Sequence, residues 1–293
     1  MGKTKGNKRR NFKIFTKNKI KITLKEKEID GISNVTTPYI IAQKHLKKSV
    51  LKEILVAKVK YLNVVSNIKI ASLEDSEQEE NCSSKEKEQF ELWDMNNSLI
   101  GDCKIEFCNF DTKEGKTVFW NSSAFLLASL IEKLYSAKIC KAKAFKEGFY
   151  CDSYMGNFAI DPLKDFNSIE KQIKIVIKQN LSFTRLILTK KEALSLFEDN
   201  KYKVDLISSR LKENELTTAY SCGNFIDLCL GSHISNLNMI KSLKITNNSS
   251  TNWLGLVNND NLQRIYGISF PNEKLLNEYV KKKDEKKKKI IDI

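Results

Sequence analysis

Two hydrophobic periods coexist in this chain, and their coexistence narrows the fold more than any single motif. Ile20-Lys21-Ile22-Thr23-Leu24 alternates apolar and polar residues, the period of a strand buried on one face. Ala124, Leu127, Leu130, Ile131 and Leu134 instead recur at the spacing of one helix face, with Asn121 or Ser122 available to cap it. Ile169, Ile173, Val176 and Ile177 predict a second helix, and Thr189-Lys190-Lys191-Glu192 is a capping-box signature ahead of Ala193-Leu194. Thr36-Thr37-Pro38 predicts a further helix start, because proline fits a first turn, and Leu55 to Val59 reads as another strand. Leu92-Trp93-Asp94-Met95 and Cys103 to Phe107 predict a hairpin-like pair of strands around Asn96-Asn97. Elements of both kinds in this order predict an α+β protein.

A length of 293 residues suits two modest domains, and 41% hydrophobic residues suffice for their cores. No apolar run approaches the roughly 18 residues of a membrane span, so no membrane partner is expected. The start, Met1-Gly2-Lys3-Thr4-Lys5-Gly6, lacks a secretory apolar core, and Gly6 stands where a myristoylation signal needs Ser or Thr. It is basic like a mitochondrial presequence but lacks the Ser-rich amphipathic pattern. Seven cysteines without a Cys-x-x-Cys pair fit a reduced compartment, and the expected location is cytoplasmic.

The net charge is +14, with a pI near 9.3. Such a balance fits a polyanionic partner, nucleic acid above all, or equally a lysine-rich genome; charge alone leaves both open. Met1 to Lys17 concentrates Lys3, Lys5, Lys8, Arg9, Arg10 and Lys13 without an acid, a tail free to touch phosphates or simply solvated. Residues 73–90 include the acidic run Glu74-Asp75-Ser76-Glu77-Gln78-Glu79-Glu80, which cannot bury enough apolar surface to order itself. Residues 281–293 form a lysine-rich linker or tail.

Several stretches carry a specific resemblance. Val118-Phe119-Trp120-Asn121-Ser122-Ser123-Ala124-Phe125 leads to Glu147-Gly148-Phe149-Tyr150-Cys151-Asp152, and Tyr220 to His233 contains Asp227, Cys229 and His233. With Leu262 to Pro271, they resemble the editing domain of threonyl-tRNA synthetases. Thr36-Thr37-Pro38-Tyr39, Val56-Ala57-Lys58-Val59, and Leu92-Trp93-Asp94 with Gly101-Asp102-Cys103 resemble the TGS domain, a ubiquitin-like β-grasp module. The resemblance spans Ile20 to Val280. It implies a TGS domain over 18–110, carrying the acidic insertion, and a threonyl/alanyl-tRNA synthetase editing-type α+β domain over 111–280.

In that family the editing domain hydrolyses mischarged seryl-tRNA, and two histidines four apart on a helix face a Cys-x-x-x-His pair. The resemblance places Cys229, His233, Asp227 and Lys203 in the pocket, but Asn121 and Phe125 replace the histidine pair. Ala142-Lys143 and Leu230-Gly231-Ser232-His233 depart from the pattern too, and Cys151 replaces a tyrosine. Losing one positioned acid–base group costs roughly 100- to 10,000-fold, and Cys229 with His233 are too few ligands for zinc. No metal is expected here; Cys229 and His233 are either a site remnant or a structural relic.

ATP and zinc belong to the family's ligase core, which would follow the present C-terminus, so this polypeptide is not expected to make threonyl-tRNA alone. Of its two histidines, His45 reads as a solvent-facing helix residue. Cys151 and Cys222 read as small buried apolar groups, and Trp93, Trp120 and Trp253 as core anchors. The expected role is the tRNA-binding N-terminal region of a threonyl-tRNA synthetase, or a stand-alone derivative, with a degenerate editing site. Its partners would be threonine-specific tRNA and a full-length synthetase or a missing C-terminal core. The alternatives are a trans-acting deacylase of seryl-tRNA and a docking subunit of a full synthetase.

Overall fold

The computed structural model describes residues 17–63, 71, 73, 90–229 and 231–291, with the side chains of the last helix described as far as residue 285. The basic tail up to residue 16 and the acidic run Glu74 to Glu80 lie outside the described residues.

The N-terminal unit is a five-stranded mixed sheet. Its strands are β1 (Lys19–Leu24), β2 (Lys27–Ile32), β3 (Val56–Tyr61), β4 (Glu91–Trp93) and β5 (Cys103–Cys108), ordered β2-β1-β5-β3-β4. β1 and β5 run parallel in the middle, and every other pairing is antiparallel. Helix α1 (Pro38–His45) begins at the expected place: the Thr37 hydroxyl accepts the Ile40 amide at 3.2 Å, and Pro38 occupies the first turn. Its Ile41 and Ala42 pack on Ile20, Ile22 and Val59 of the sheet, and His45 faces solvent. The short α2 (Lys48–Leu51) follows.

The hairpin expected between the fourth and fifth strands does not form. β4 and β5 instead flank β3 on opposite sides, so that Ala57 pairs with both Trp93 and Phe107. The turn at Asn96-Asn97 exists, with the Asn97 amide on the Asp94 carbonyl at 3.1 Å. Met95 and Leu99 then bury under the sheet and carry the chain across to the far edge of β3. Turn chemistry is local, whereas the choice of strand partner is made by this burial.

The C-terminal unit is built around α3 (Lys113–Tyr135), whose length of 23 residues spans about 35 Å at 1.5 Å per residue. Its N-cap is Thr112, not Asn121 or Ser122: the Thr112 hydroxyl accepts the Gly115 amide at 3.0 Å. Asn121 and Ser122 lie mid-helix, and Ser122 donates back to the Val118 carbonyl at 2.8 Å. Against α3 packs a sheet ordered β11-β12-β7-β6, from β6 (Lys138–Phe145), β7 (Gly148–Tyr154), β11 (Ser242–Asn252) and β12 (Asn261–Phe270). A second sheet, β10-β9-β8, uses β8 (Phe183–Thr189), β9 (Leu216–Cys222) and β10 (Phe225–Leu228). Helices α4 (Pro162–Lys178), α5 (Lys190–Leu196), α6 (Lys201–Arg210) and α7 (Glu273–Ile291) complete it, α5 behind a reciprocal Thr189–Glu192 capping box.

The two units share a core. Leu55, Val56 and Cys108 of the first sheet join the cluster around α3, and buried Asp94 accepts the Tyr220 hydroxyl at 2.7 Å. Burial pushes the Asp94 carboxyl above the usual carboxylate range, against the pull of the Tyr220 and His233 hydrogen bonds. The segment after β3 also reaches across: the Ala71 amide donates to the Leu216 carbonyl at 2.8 Å, and Leu73 buries among Ala193, Phe197 and Ile207.

The start of α3 is sterically exacting, since a Cβ on Gly115 would stand 1.8 Å from the Asn109 carbonyl oxygen. Gly115→Ala should therefore lower the denaturant midpoint by far more than Thr112→Ala, whose lost cap costs about 1 kcal/mol. Equal midpoints for the two variants would contradict this packing.

Candidate functional site

A cleft of about 310 Å³ opens between the two sheets of the C-terminal unit. β6 and β7 form one wall through Cys140, Ala142 and Tyr150, while β9 and the end of β10 form the other through Thr217, Thr218 and Cys229. α6 contributes Lys203 and Arg210, β12 contributes Arg264, and Trp253 and Leu254 at the tip of the β11–β12 hairpin close the rim. Leu73 lines the cleft as well, and Arg210 donates to its carbonyl at 2.9 Å.

Lys203 is placed by its helix start. The Asn200 side-chain oxygen caps α6, and its amide nitrogen donates to the Ile139 carbonyl at 2.8 Å, pinning the helix to β6. The Lys203 ammonium lies 2.6 Å from Asp227, with both side chains about 95% buried. Burial pushes the Asp227 carboxyl upward and the lysine charge opposes it. Asp227 thus stands behind Lys203 as its partner, and Lys203 alone of the two lines the cleft. On the opposite wall Arg264 forks onto Asp152 at 2.6 and 2.7 Å and covers the Tyr150 ring at 4.2 Å. Both pairs confine a cation to the cleft wall while holding most of its charge in an internal bond. The Thr217 hydroxyl is buried there without a hydrogen-bond partner among the described residues.

His233 does not line this cleft. It is 1% exposed and sits in an aromatic cage, stacked on Phe183 at 4.5 Å and edge-on to Phe125 and Tyr220 at 5.3 and 4.5 Å. Its amide donates to Asp94 at 2.9 Å, and its Nδ1 lies 3.0 Å from the Ser122 hydroxyl. That hydroxyl donates to Val118 and accepts the Ile234 amide at 3.1 Å, so full pairing puts the imidazole proton on Nδ1. Nε2 is then a buried lone pair without a partner among the described residues. Burial lowers the imidazole pKa to about 3.

Phe125 and Asn121 of α3 account for one side of the cage and its tie to β6. Phe125, 3% exposed, also meets the rings of Phe183 and Phe225 at 5.3 and 4.9 Å and fills the space before the imidazole. Asn121, one turn earlier, accepts the Ala144 amide at 2.7 Å and so ties α3 to β6. Of the four residues expected in the pocket, Cys229 and Lys203 face the cleft, Asp227 backs it and His233 is withdrawn. Cys229 packs its sulfur 3.7 Å from the Gly231 carbonyl. Cys151 and Cys222 are buried, which pushes the Cys222 thiol up to about 12. Trp253, expected in a core, is half-buried against Tyr202 and Leu262 and also stands on the cleft rim. Arg264, Tyr150, Thr217 and Asp94 were not singled out as site residues from the sequence, because what places them lies 112 to 139 positions away or across a strand ladder; Arg264 meets Asp152 at a separation of 112 and Asp94 meets His233 at 139.

Residues 217–266 match the family model described as the threonyl and alanyl tRNA synthetase second additional domain. The chain is 36% identical over 261 residues to a probable threonine–tRNA ligase 1, cytoplasmic, of Dictyostelium discoideum, covering 89% of this chain and 32% of the relative. It is 35% identical over 269 residues to threonine–tRNA ligase 1, cytoplasmic, of Homo sapiens, with 92% and 33% covered. The corresponding figures for threonine–tRNA ligase 2, cytoplasmic, of Xenopus tropicalis are 35% identity with 92% and 29% covered. The chain thus spans about a third of the length of these relatives.

A histidine held neutral makes stability depend on acid. The contribution is present above the unfolded imidazole pKa near 6.5 and is lost as pH falls toward about 3, at up to about 1.4 kcal/mol per pH unit. The raised Asp94 carboxyl acts in the opposite sense, so the difference between the unmodified protein and His233→Gln isolates the imidazole. Denaturant midpoints between pH 7 and 4 should fall less steeply in the variant; parallel slopes would disprove the neutral cage.

Proposed function

The chain is the counterpart of the N-terminal region of threonyl-tRNA synthetases, a family homology that supports a role in threonyl-tRNA aminoacylation or editing, and we propose that it is a tRNA-binding module whose editing site is degenerate. The observation that carries this reading is the pair of replacements on α3. Asn121 is engaged with a backbone amide, and His233 is buried in a cage of Phe125, Phe183 and Tyr220 outside the cleft that Cys229 lines. Editing acts as a second sieve because binding alone rejects serine poorly. Its hydrolysis needs a positioned water and a proton acceptor.

The strand order β2-β1-β5-β3-β4 with a parallel central pair supports reading the N-terminal unit as a TGS β-grasp domain, over 18–110, ahead of an editing-type domain over 111–280. The net charge of +14 supports tRNA, threonine-specific by family, as the partner, and the relatives' names support a cytoplasmic site of action. Among the described residues no helix is long and apolar enough to cross a membrane.

Two measurements test the proposal. Purified protein should leave seryl-tRNA intact beyond the buffer rate, and Cys229→Ala should change nothing. Rapid serine release abolished by Cys229→Ala or His233→Ala would instead establish the deacylase reading. Affinity for a tRNA transcript should fall with salt along a log–log line, and deleting Met1 to Lys17 should flatten it by about 0.9 per phosphate contact removed.

A further inference from the structure

The exposed side of α4 carries one sign of charge only. Helix α4 sets Ile169 and Ile173 into the core, with Phe166, Val176 and Ile177 half-buried beside them. Lys164, Lys171, Lys174 and Lys178 are all exposed. At about 100° per residue these four fall within an arc of about 80°, on the side opposite the buried isoleucines. Along the axis they extend for about 21 Å.

What distinguishes this face from an ordinary solvated one is the fate of its acids. Solvated helix faces usually mix signs at i,i+4. The two acids within α4 are instead turned inward. Asp165 accepts the Tyr135 hydroxyl at 3.2 Å and the Asp161 amide at 2.8 Å, and Glu170 accepts the Ile245 amide of β11 at 2.8 Å. On the outer face, Lys164 has an ion pair with Asp161 at 3.5 Å, at the end of the helix. Lys171, Lys174 and Lys178 stand three and four residues apart, where like charges repel and cost helix stability. A polyanion laid along the face relieves that repulsion and releases its own counterions.

We propose that the outer face of α4 seats the sugar–phosphate backbone of a double-helical RNA stem, with Lys171, Lys174 and Lys178 as its phosphate contacts. This rests on the tRNA-binding reading above and adds the surface that does the binding. A duplex carries on the order of one charge per 1.7 Å of axis, so a 21 Å track faces roughly a dozen phosphates. Such contacts position a stem without reading its sequence.

The test uses the full chain, a tRNA transcript and salt titrations from 50 to 200 mM. Lys171→Gln/Lys174→Gln/Lys178→Gln should make the log–log slope shallower by roughly two to three units, about 0.9 for each contact. The Arg triple at the same positions should keep the slope, and a Lys44→Gln/Lys48→Gln/Lys52→Gln control on the N-terminal unit should leave it unchanged. Should the α4 Gln triple be poorly folded by circular dichroism, the three single Gln variants, each expected to remove about 0.9, serve in its place. An unchanged slope in the α4 variants while the unmodified chain binds tRNA overturns this inference and leaves the tRNA-binding reading standing. No tRNA binding by the unmodified chain overturns both. Binding to anionic phosphatidylserine vesicles in place of tRNA assigns the face to a membrane surface and overturns the inference as well.

Discussion

The arrangement of the C-terminal unit hangs on burying one neutral imidazole. His233 lies where α3, the β8–β9–β10 sheet and the N-terminal unit meet, and each supplies a contact: Ser122 and Phe125, then Phe183 and Tyr220, then Asp94. Burial in that cage disfavours the ionised imidazole and holds it neutral. Asp94 is the complementary element. Its carboxylate loses solvation to the same burial but satisfies the Tyr220 hydroxyl and the His233 amide, a buried polar link between two units that also share an apolar core.

The consequence for chemistry is a cleft separated from its histidine. His233 is caged by Phe125, Phe183 and Tyr220 and does not line the cleft, which keeps Cys229 together with the cations Lys203 and Arg264. Each of these cations has its carboxylate already, Asp227 or Asp152. Exposed lysines stand elsewhere, Lys171, Lys174 and Lys178 of α4 among them, on a helix whose own acids hold it to Tyr135 and β11. Internal pairs thus fix the cleft walls, and the inward-turned acids fix α4.

Local signals in the sequence are legible where a short-range interaction decides the outcome. The Thr37–Pro38 helix start, the Thr189–Glu192 box and the amphipathic run through Ile169 and Ile173 all depend on neighbours within a turn or two, and they stand in the structure as read. The readings that moved depended on distance. Asn121 and Ser122 are good caps by type, but Thr112 starts α3 earlier, where Gly115 packs against Asn109 and Phe119 meets Phe110 edge-on. Leu92 to Met95 and Cys103 to Phe107 are strands, yet the edges of β3 recruit both of them separately.

By itself, the sequence determined an α+β protein with these periodicities, a basic surplus, and Asn121 and Phe125 one helical turn apart, since composition and local spacing belong to the chain before it folds. Only the tertiary structure decided that Phe125 shuts His233 into a cage, that Asp94 bridges the units, and that Arg264 rather than His233 faces the cleft. Those outcomes depend on which groups lose water together, and burial is a property of contacts made across a hundred or more residues, not of any segment alone.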